Sequence, residues 1–73
     1  MENERAASNV ILKYTNREGE LWERLLRPLY IVFREGDHHE GVQWLLIARD
    51  LSEGGEREIE MKSVHSWMPA EGG

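Results

Sequence analysis

The sequence predicts an all-β fold, a small SH3-like or Sm-like barrel of about five short, strongly bent antiparallel strands. Apolar and polar residues alternate in several stretches of the chain, which is the pattern of half-buried strands. Turn residues such as Gly, Asn and Asp separate these stretches at intervals of about 8–12 residues, a spacing typical of small sheets that close on themselves. One stretch is longer than the domain is wide, so its strand has to bend.

The first predicted strand is Asn9–Thr15, which places its most apolar side chains on one face, namely Val10, Leu12 and Tyr14. The segment that follows, Asn16–Gly19, begins with Asn and ends with Gly, as type I turns prefer. We therefore expect this strand to form a hairpin with the next one.

The second predicted strand, Leu21–Arg34, is the one that bends. Its apolar residues also fit helical spacing as far as Leu29, so a short helix is the competing interpretation. Pro28 opposes a continuous helix because its ring clashes with the preceding turn and it has no amide hydrogen to donate. A straight strand of this length would span about 46 Å at ~3.3 Å per residue, whereas a domain of this size has a diameter near ~29 Å. We therefore expect a bend at Pro28.

Three further elements complete the predicted barrel. Val42–Asp50 is apolar on most of both faces, which is typical of a strand at the centre of its sheet. In Glu56–Lys62, charged residues at even positions alternate with Arg57, Ile59 and Met61, which we expect to face inward. This pattern is typical of a strand with one face in solvent. Val64 and Trp67 then close the barrel, either as a one-turn helix or as a short fifth strand.

The 73 residues are enough for one domain. Residues 1–8 and 68–73 are polar or contain Pro and Gly, and we predict that they are disordered tails around a domain at residues 9–67. Cysteine is absent, which excludes disulfides and thiolate zinc sites. No apolar run approaches the ~18 residues of a membrane helix, and the acidic N-terminus is unlike a secretory signal. We therefore expect a cytoplasmic protein with no membrane partner.

The charge balance restricts the partners that the chain can have. Nine basic and fourteen acidic residues give a net charge of -5. Tight non-specific binding to nucleic acid depends on Lys and Arg side chains that neutralise phosphates, so this balance argues against it. A local basic patch on an acidic body remains compatible with the composition.

The sequence contains no recognisable catalytic or metal-binding motif. No serine lies in a Gly-x-Ser-x-Gly elbow, and no Gly-rich loop precedes a helix. His38 and His39 are adjacent, but neighbouring side chains of an extended segment point to opposite sides and rarely reach one ion. We therefore predict a protein that is not an enzyme, with no metal site and no cofactor.

Arginines within the predicted strands are the candidate binding residues, because a guanidinium can bury its stem and keep a planar fork free for carboxylates, phosphates or base edges. They are Arg24, Arg27, Arg49 and Arg57. Two interpretations are open, a ligand site or ion pairs with neighbouring acids such as Glu23, Asp50 or Glu56. A tryptophan exposed beside one of these arginines would form a stacking platform for a base.

Four motifs, in this order along the chain, resemble the WYL domain family. They are Tyr-x-Asn-x-x-Gly-Glu at Tyr14–Glu20, Arg-x-x-x-Pro-Leu at Arg24–Leu29, Trp-x-Leu-x-Ala-x-Asp at Trp44–Asp50, and Arg-x-apolar at Arg57–Ile59. Together they span nearly all of Asn9–Trp67. In addition, His39 lies five residues before Trp44, with Gln43 adjacent to it, which is similar to the short stand-alone members of the family.

The resemblance implies an SH3/Sm-like β-barrel that acts in bacteria as a ligand-sensing or nucleic-acid-binding module, in transcriptional regulation or phage defence. It implies a pocket that contains Arg24 and Arg57 with Trp44 nearby. Gln43, Arg49 and His39 complete the predicted binding residues. The expected ligand is a small anion or single-stranded nucleic acid.

The chain departs from the family pattern at two positions. Leu45 replaces the tyrosine of the Trp-Tyr-Leu run, and Ser63 stands where many members carry a second arginine. Both changes would weaken the binding of a polyanion. The alternative hypothesis is a protein-interaction or oligomerisation module that has an Sm-like barrel and no retained ligand. Its partner would be another protein or further copies of this chain in a homo-oligomer.

Overall fold

A computed structural model describes residues 9–36 and 41–70. These residues form one sheet of five antiparallel strands and one short 3-10 helix at Met61–Ser63. The strands are β1 (Val10–Thr15), β2 (Leu21–Glu35), β3 (Val42–Asp50), β4 (Glu56–Glu60) and β5 (Val64–Pro69). Their order in the sheet is β4-β3-β2-β1-β5. The prediction of a small all-β fold is confirmed, and the competing helix at Leu21–Leu29 does not form.

The long strand β2 changes neighbours along its length. Its first part, Leu21–Leu26, pairs with β1, and the part from Leu26 to Glu35 pairs with β3. The register with β3 shifts between Pro28 and Tyr30, at a β-bulge. At ~3.3 Å per residue the strand would extend for about 50 Å if it were straight. The longest dimension of the molecule is 37 Å, so β2 has to curve.

The core lies around β3, the central strand. All four residues of Leu45–Ala48 are buried, on both faces of the sheet, as their apolar sequence predicts. The main core cluster takes side chains from four strands: Val10, Leu12, Tyr14, Leu26, Leu46, Ala48 and Ile59. Trp22, Met61 and Val64 pack against it. Because of this arrangement, the inner faces of β1 and of the first half of β2 meet the inner face of β3.

The C-terminal end of the barrel extends further than the sequence indicates. Val64 and Trp67 lie in β5, so the alternative of a fifth strand is confirmed, whereas the 3-10 helix forms earlier, at Met61–Ser63, because β4 ends at Glu60 and not at the predicted Lys62. β5 continues past Trp67, since Met68 pairs with Ile11 and Pro69 with Val10. The predicted tail at residues 68–73 is therefore wrong for its first two residues. β5 lies at the edge of the sheet, where a proline costs no ladder hydrogen bond. Residues 1–8 and 71–73 lie outside the described residues.

Candidate functional site

The turn between β3 and β4 is organised by one buried carboxylate. Asp50 is only 1% exposed. Its Oδ1 accepts hydrogen bonds from the backbone N–H groups of Ser52 at 2.8 Å and Glu53 at 2.9 Å. The backbone N–H of Asp50 donates to the carbonyl of Gly55 at 2.9 Å, and that of Gly54 donates to the carbonyl of Asp50. Because both glycines have a φ of +82°, this turn requires residues that tolerate the left-handed region.

The same carboxylate binds an arginine of β4. The Nε of Arg57 donates to Oδ2 of Asp50 at 2.5 Å, and its terminal nitrogen donates to Glu53 at 3.1 Å. The other oxygen of the Glu53 carboxylate accepts a hydrogen bond from Arg24 of β2 at 3.0 Å. Glu53 thus bridges two guanidinium groups that are 33 residues apart in the sequence (57 minus 24).

An indole ring completes this cluster. The Cζ of Arg24 lies 4.2 Å from the ring centroid of Trp22, and the Cζ of Arg57 lies 5.3 Å from it, both within cation–π range. The ring of Tyr14 meets the same indole edge-on, with 6.3 Å between the ring centroids. The sheet explains the arrangement, because Trp22 and Arg24 share one face of β2 and Trp22 is opposite Tyr14 in β1.

The hydrogen bonds in the cluster shift the pKa values of its charged groups. Burial alone would raise the pKa of the Asp50 carboxyl. However, hydrogen bonds from the backbone of Glu53, from the Arg57 guanidinium and from the backbone of Ser52 lower this pKa below its ordinary value. The hydrogen bond to Asp50 is also the main reason that the pKa of Arg57 is raised. Both groups are therefore held in their charged forms, as an internal ion pair.

The structure brings together two of the predicted site residues, Arg24 and Arg57, and places Trp44 away from them. Arg24 and Arg57 converge beside an indole, but this indole belongs to Trp22 and not to Trp44. Trp44 instead contacts Phe33 on the far half of the β2–β3 pair, with ring centroids 5.0 Å apart. The prediction of Trp44 beside the two arginines is therefore wrong. The spacing of Trp22 and Arg24 by two residues in a predicted strand is the signal that would have identified the correct ring.

The remaining predicted site residues lie on β3 or outside the described residues. Arg49 is exposed and stands between Arg27 of β2 and Glu56 of β4 in the ladder. Gln43 is opposite Arg34, next to Trp44 in the chain. His39 is outside the described residues. No three His, Asp or Glu side chains among residues 9–36 and 41–70 are grouped so that they could hold a metal ion.

A second surface extends beyond the core. β1 covers β2 only to Leu26, and β4 covers β3 only from Leu45. Past these limits β2 and β3 form a two-stranded ribbon that has no further strand on either side among the described residues. One face of the ribbon continues the inner face of the sheet and is half exposed. Ile31 adjoins this face and is opposite Leu46, where β4 still pairs with β3. We call these side chains together the apolar ribbon face: Ile31 (50% exposed), Phe33 (54%), Val42 (58%) and Trp44 (56%).

Comparison with known proteins gives no match to a family model, a curated protein or a solved structure. No helix in the described part of the chain is long and apolar enough to cross a membrane.

The Asp50–Arg57 pair predicts how stability depends on pH. Because the folded-state pKa of Asp50 is lowered, the unfolded chain binds more protons in acid, so the stabilisation is present at neutral pH and is lost as the pH falls below about 4. We expect Asp50→Asn to lower the free energy of unfolding by about 2–4 kcal/mol at pH 7 and to weaken its acid dependence. Urea unfolding between pH 3 and pH 7 measures both effects.

Glu23→Gln is the matched control, since it removes an exposed carboxylate of β2. It should change stability by less than about 0.5 kcal/mol. An Asp50→Asn protein that is as stable as the parent at pH 7, with the same acid dependence, would show that this carboxylate is not needed to hold the turn.

Proposed function

We propose that this chain is a non-enzymatic self-association module, in which the barrel presents the apolar ribbon face to a second copy of the chain. The observation that carries the proposal is the half exposure of four large apolar side chains on one face of the ribbon. Contiguous apolar surface of this kind is a mark of interaction sites in soluble proteins.

The area of the apolar ribbon face is sufficient for a small dimer interface. Whole aromatic side chains bury about 150–250 Å² each. With two aromatic and two aliphatic side chains half exposed, the face offers on the order of 400–500 Å² of apolar surface. Two copies contribute about 900 Å², and homodimer interfaces are roughly 65% apolar. The whole interface would then bury about 1,400 Å², which is above the ~1,200 Å² at which specific interfaces begin.

A second copy is the occupant that suits this surface best. The four side chains carry no charge. Glu35 shares their face but stands at the end of the ribbon, opposite Val42, so a two-fold axis that places the two Glu35 side chains at opposite ends packs the apolar surfaces on each other without contact between like charges. A two-stranded ribbon is only marginally stable in water without a layer packed on one face. Packing two ribbons face to face supplies that layer to both copies, which explains why the strands extend past the core.

The proposal predicts that the protein dimerises reversibly with a Kd on the order of 10 μM, as expected of an interface near the lower size limit. Phe33→Ser should shift the protein to a monomer because it removes the aromatic centre of the face. Sedimentation velocity at several protein concentrations measures the change.

Leu21→Ser is the matched control, because Leu21 is an apolar residue of the same strand, is 62% exposed, and lies at the opposite end from the ribbon. It should leave the dimer intact. A parent protein that remains monomeric at millimolar concentration, or equal loss of the dimer in both variants, would contradict the proposal.

A second candidate function follows from the resemblance to the WYL domain family, namely binding of a small anion or single-stranded nucleic acid. The observation in its favour is that Arg24 and Arg57 both contact Trp22 and keep 20% and 27% of their side chains exposed. Against it, both guanidiniums are paired with Glu53 or Asp50, so a phosphate would have to displace a carboxylate. The protein as a whole also repels polyanions.

The two departures from the family pattern also count against a retained anion pocket. Leu45, at the position of the tyrosine in the family name, is fully buried and offers nothing to a ligand. Ser63, at the position of the second arginine, lies in the 3-10 helix and hydrogen-bonds to Glu60 at 3.4 Å.

The two candidate functions predict different effects of salt on the affinity of the protein for an oligonucleotide. We expect a fluorescent oligothymidylate to bind only weakly at 25 mM salt, with no further loss of affinity in Arg24→Gln, because Arg24 is already neutralised by Glu53. Fluorescence anisotropy across a salt series measures this. Affinity that falls steeply with salt and is lost in Arg24→Gln would favour the anion-binding candidate instead.

A further inference from the structure

Two arginines stand directly opposite each other on the outer face of the sheet. Arg27 of β2 pairs with Arg49 of β3 in the antiparallel ladder, and both side chains are exposed. They follow the buried Leu26 and Ala48 in their strands, so they point away from the main core cluster. Directly opposed residues have Cβ atoms about 5 Å apart, and like charges there destabilise a sheet. A local conflict of this kind is typical of functional sites.

No carboxylate neutralises these two guanidiniums within the described part of the chain. Arg27 donates from its Nε only to the side-chain oxygen of Asn9, at 3.4 Å. Glu56 is next to Arg49 in the ladder, but the two side chains form no ion pair. The other arginines of the described strands each have a carboxylate oxygen within 3.1 Å: Arg24, Arg34 and Arg57. Although the chain is acidic, two adjacent guanidiniums are thus left for an external anion.

A row of apolar side chains lies beside this pair. Leu25 is two residues before Arg27 in β2 and therefore shares its face. It pairs with Ile11 of β1, which pairs in turn with Met68 of β5. Just after β3, the backbone N–H of Leu51 donates to the carbonyl of Leu25 at 3.1 Å. Three of the four side chains are more than a third exposed: Met68 (51%), Leu51 (37%) and Leu25 (36%). We call the two arginines and this row together the outer patch.

The dimensions of the outer patch suit an amphipathic helix. The apolar row runs across β5, β1, β2 and the end of β3, which is three strand spacings of ~4.8 Å, or about 14 Å. A helix rises ~1.5 Å per residue, so about ten residues would cover the row. Apolar residues three and four positions apart form one stripe of such a helix, and the residues that flank the stripe face the surface beside it. Carboxylates on that flank would meet the two guanidiniums.

We propose that the outer patch binds an acidic amphipathic helix of a partner protein. The apolar side chains of the helix would pack on the row from Met68 to Leu51, and its carboxylates would bind Arg27 and Arg49. A guanidinium binds a carboxylate through two parallel hydrogen bonds, which makes the contact specific in geometry as well as in charge. The carboxylates would also remove the repulsion between the two arginines, so that binding relieves the conflict in the free protein.

A second copy of this chain and a nucleic acid both fit the outer patch less well. The described residues include no α-helix that another copy could place there, only the 3-10 helix Met61–Ser63. A nucleic acid would bring many phosphates to a chain of net charge -5, and two guanidiniums neutralise few of them. The outer patch lies on the opposite face of the sheet from the apolar ribbon face, so this inference does not rest on self-association.

The probe for this site is a fluorescent helical peptide of about fifteen residues. It has blocked termini, one stripe of Leu, and Glu beside that stripe, and its counterpart has Gln in place of each Glu. We expect the Glu peptide to bind at least five-fold more tightly by fluorescence anisotropy at low salt. In ¹⁵N spectra, the largest shifts should occur at the amides of residues 25–27 and 49–51. The parent protein and Phe33→Ser should bind the peptide equally, because the ribbon is not involved.

Arg27→Gln separates binding from stability. Because it removes one of two opposed like charges, we expect an unchanged or higher midpoint of urea unfolding, together with about three- to five-fold weaker binding of the Glu peptide. Arg17→Gln is the matched control, since Arg17 is an exposed arginine in the turn between β1 and β2, outside the outer patch. It should leave peptide binding unchanged.

Met68→Gln tests the apolar row. It removes an exposed apolar side chain at one end of the row, so we expect about three-fold weaker binding of the Glu and Gln peptides alike. Leu21→Ser is the control, because Leu21 is an exposed apolar residue of β2 that lies outside the outer patch. It should not change the affinity for either peptide.

Several results would overturn the proposal. They are equal binding of the Glu and Gln peptides, equal loss of binding in Arg17→Gln and Arg27→Gln, and peptide shifts that map to the apolar ribbon face. A lower unfolding midpoint of Arg27→Gln would show that the opposed arginines support the fold and are not a conflict that a partner relieves. A single-stranded oligonucleotide that binds at the same amides more tightly than the Glu peptide would identify a nucleic acid as the partner instead.

Discussion

The buried carboxylate of Asp50 is the constraint on which the β3–β4 turn and the position of β4 depend. A carboxylate removed from water has to be surrounded by donors, and here two backbone N–H groups and one guanidinium supply them. The backbone donors fix the turn that leads into β4. The guanidinium of Arg57 fixes β4 relative to that turn, and Glu53 extends the connection to Arg24 of β2. The position of β4 beside the β1–β2 hairpin is therefore set by charge as well as by apolar packing.

This constraint determines what the two arginines can do. A guanidinium that donates to buried or bridging carboxylates is less available to an external anion than one exposed to water. The cation–π contacts with Trp22 hold both groups against the barrel. The arrangement is better suited to holding β4 beside the β1–β2 hairpin than to capturing a phosphate.

Much of the fold could be predicted from the sequence because it depends on local patterns. The apolar residues on both faces of Val42–Asp50 identify a central strand, and Pro28 marks where the long strand is interrupted. The convergence of Arg24 and Arg57 was also expected, although from a family resemblance. In the sheet it follows from two strands, β2 and β4, that flank β3.

The rest depends on where neighbouring strands end, and no local pattern contains that information. The same alternation that buries Leu46 continues through Trp44 and Val42, yet these two side chains are exposed because β1 and β4 do not extend that far. The choice of Trp22 over Trp44 beside the arginines has the same origin. The extension of β5 through Pro69 depends on pairing with β1, which the composition of that segment does not reveal.

The most direct test of this account is the side-chain Nε–H signal of Arg57 in ¹H–¹⁵N spectra. If its hydrogen bond to Asp50 is an internal support of the barrel, the signal is sharp, exchanges slowly with water, and stays in place when phosphate or an oligonucleotide is added. A signal that exchanges rapidly with water, or that moves on addition of phosphate, would show that this guanidinium is free to bind anions and would contradict the account.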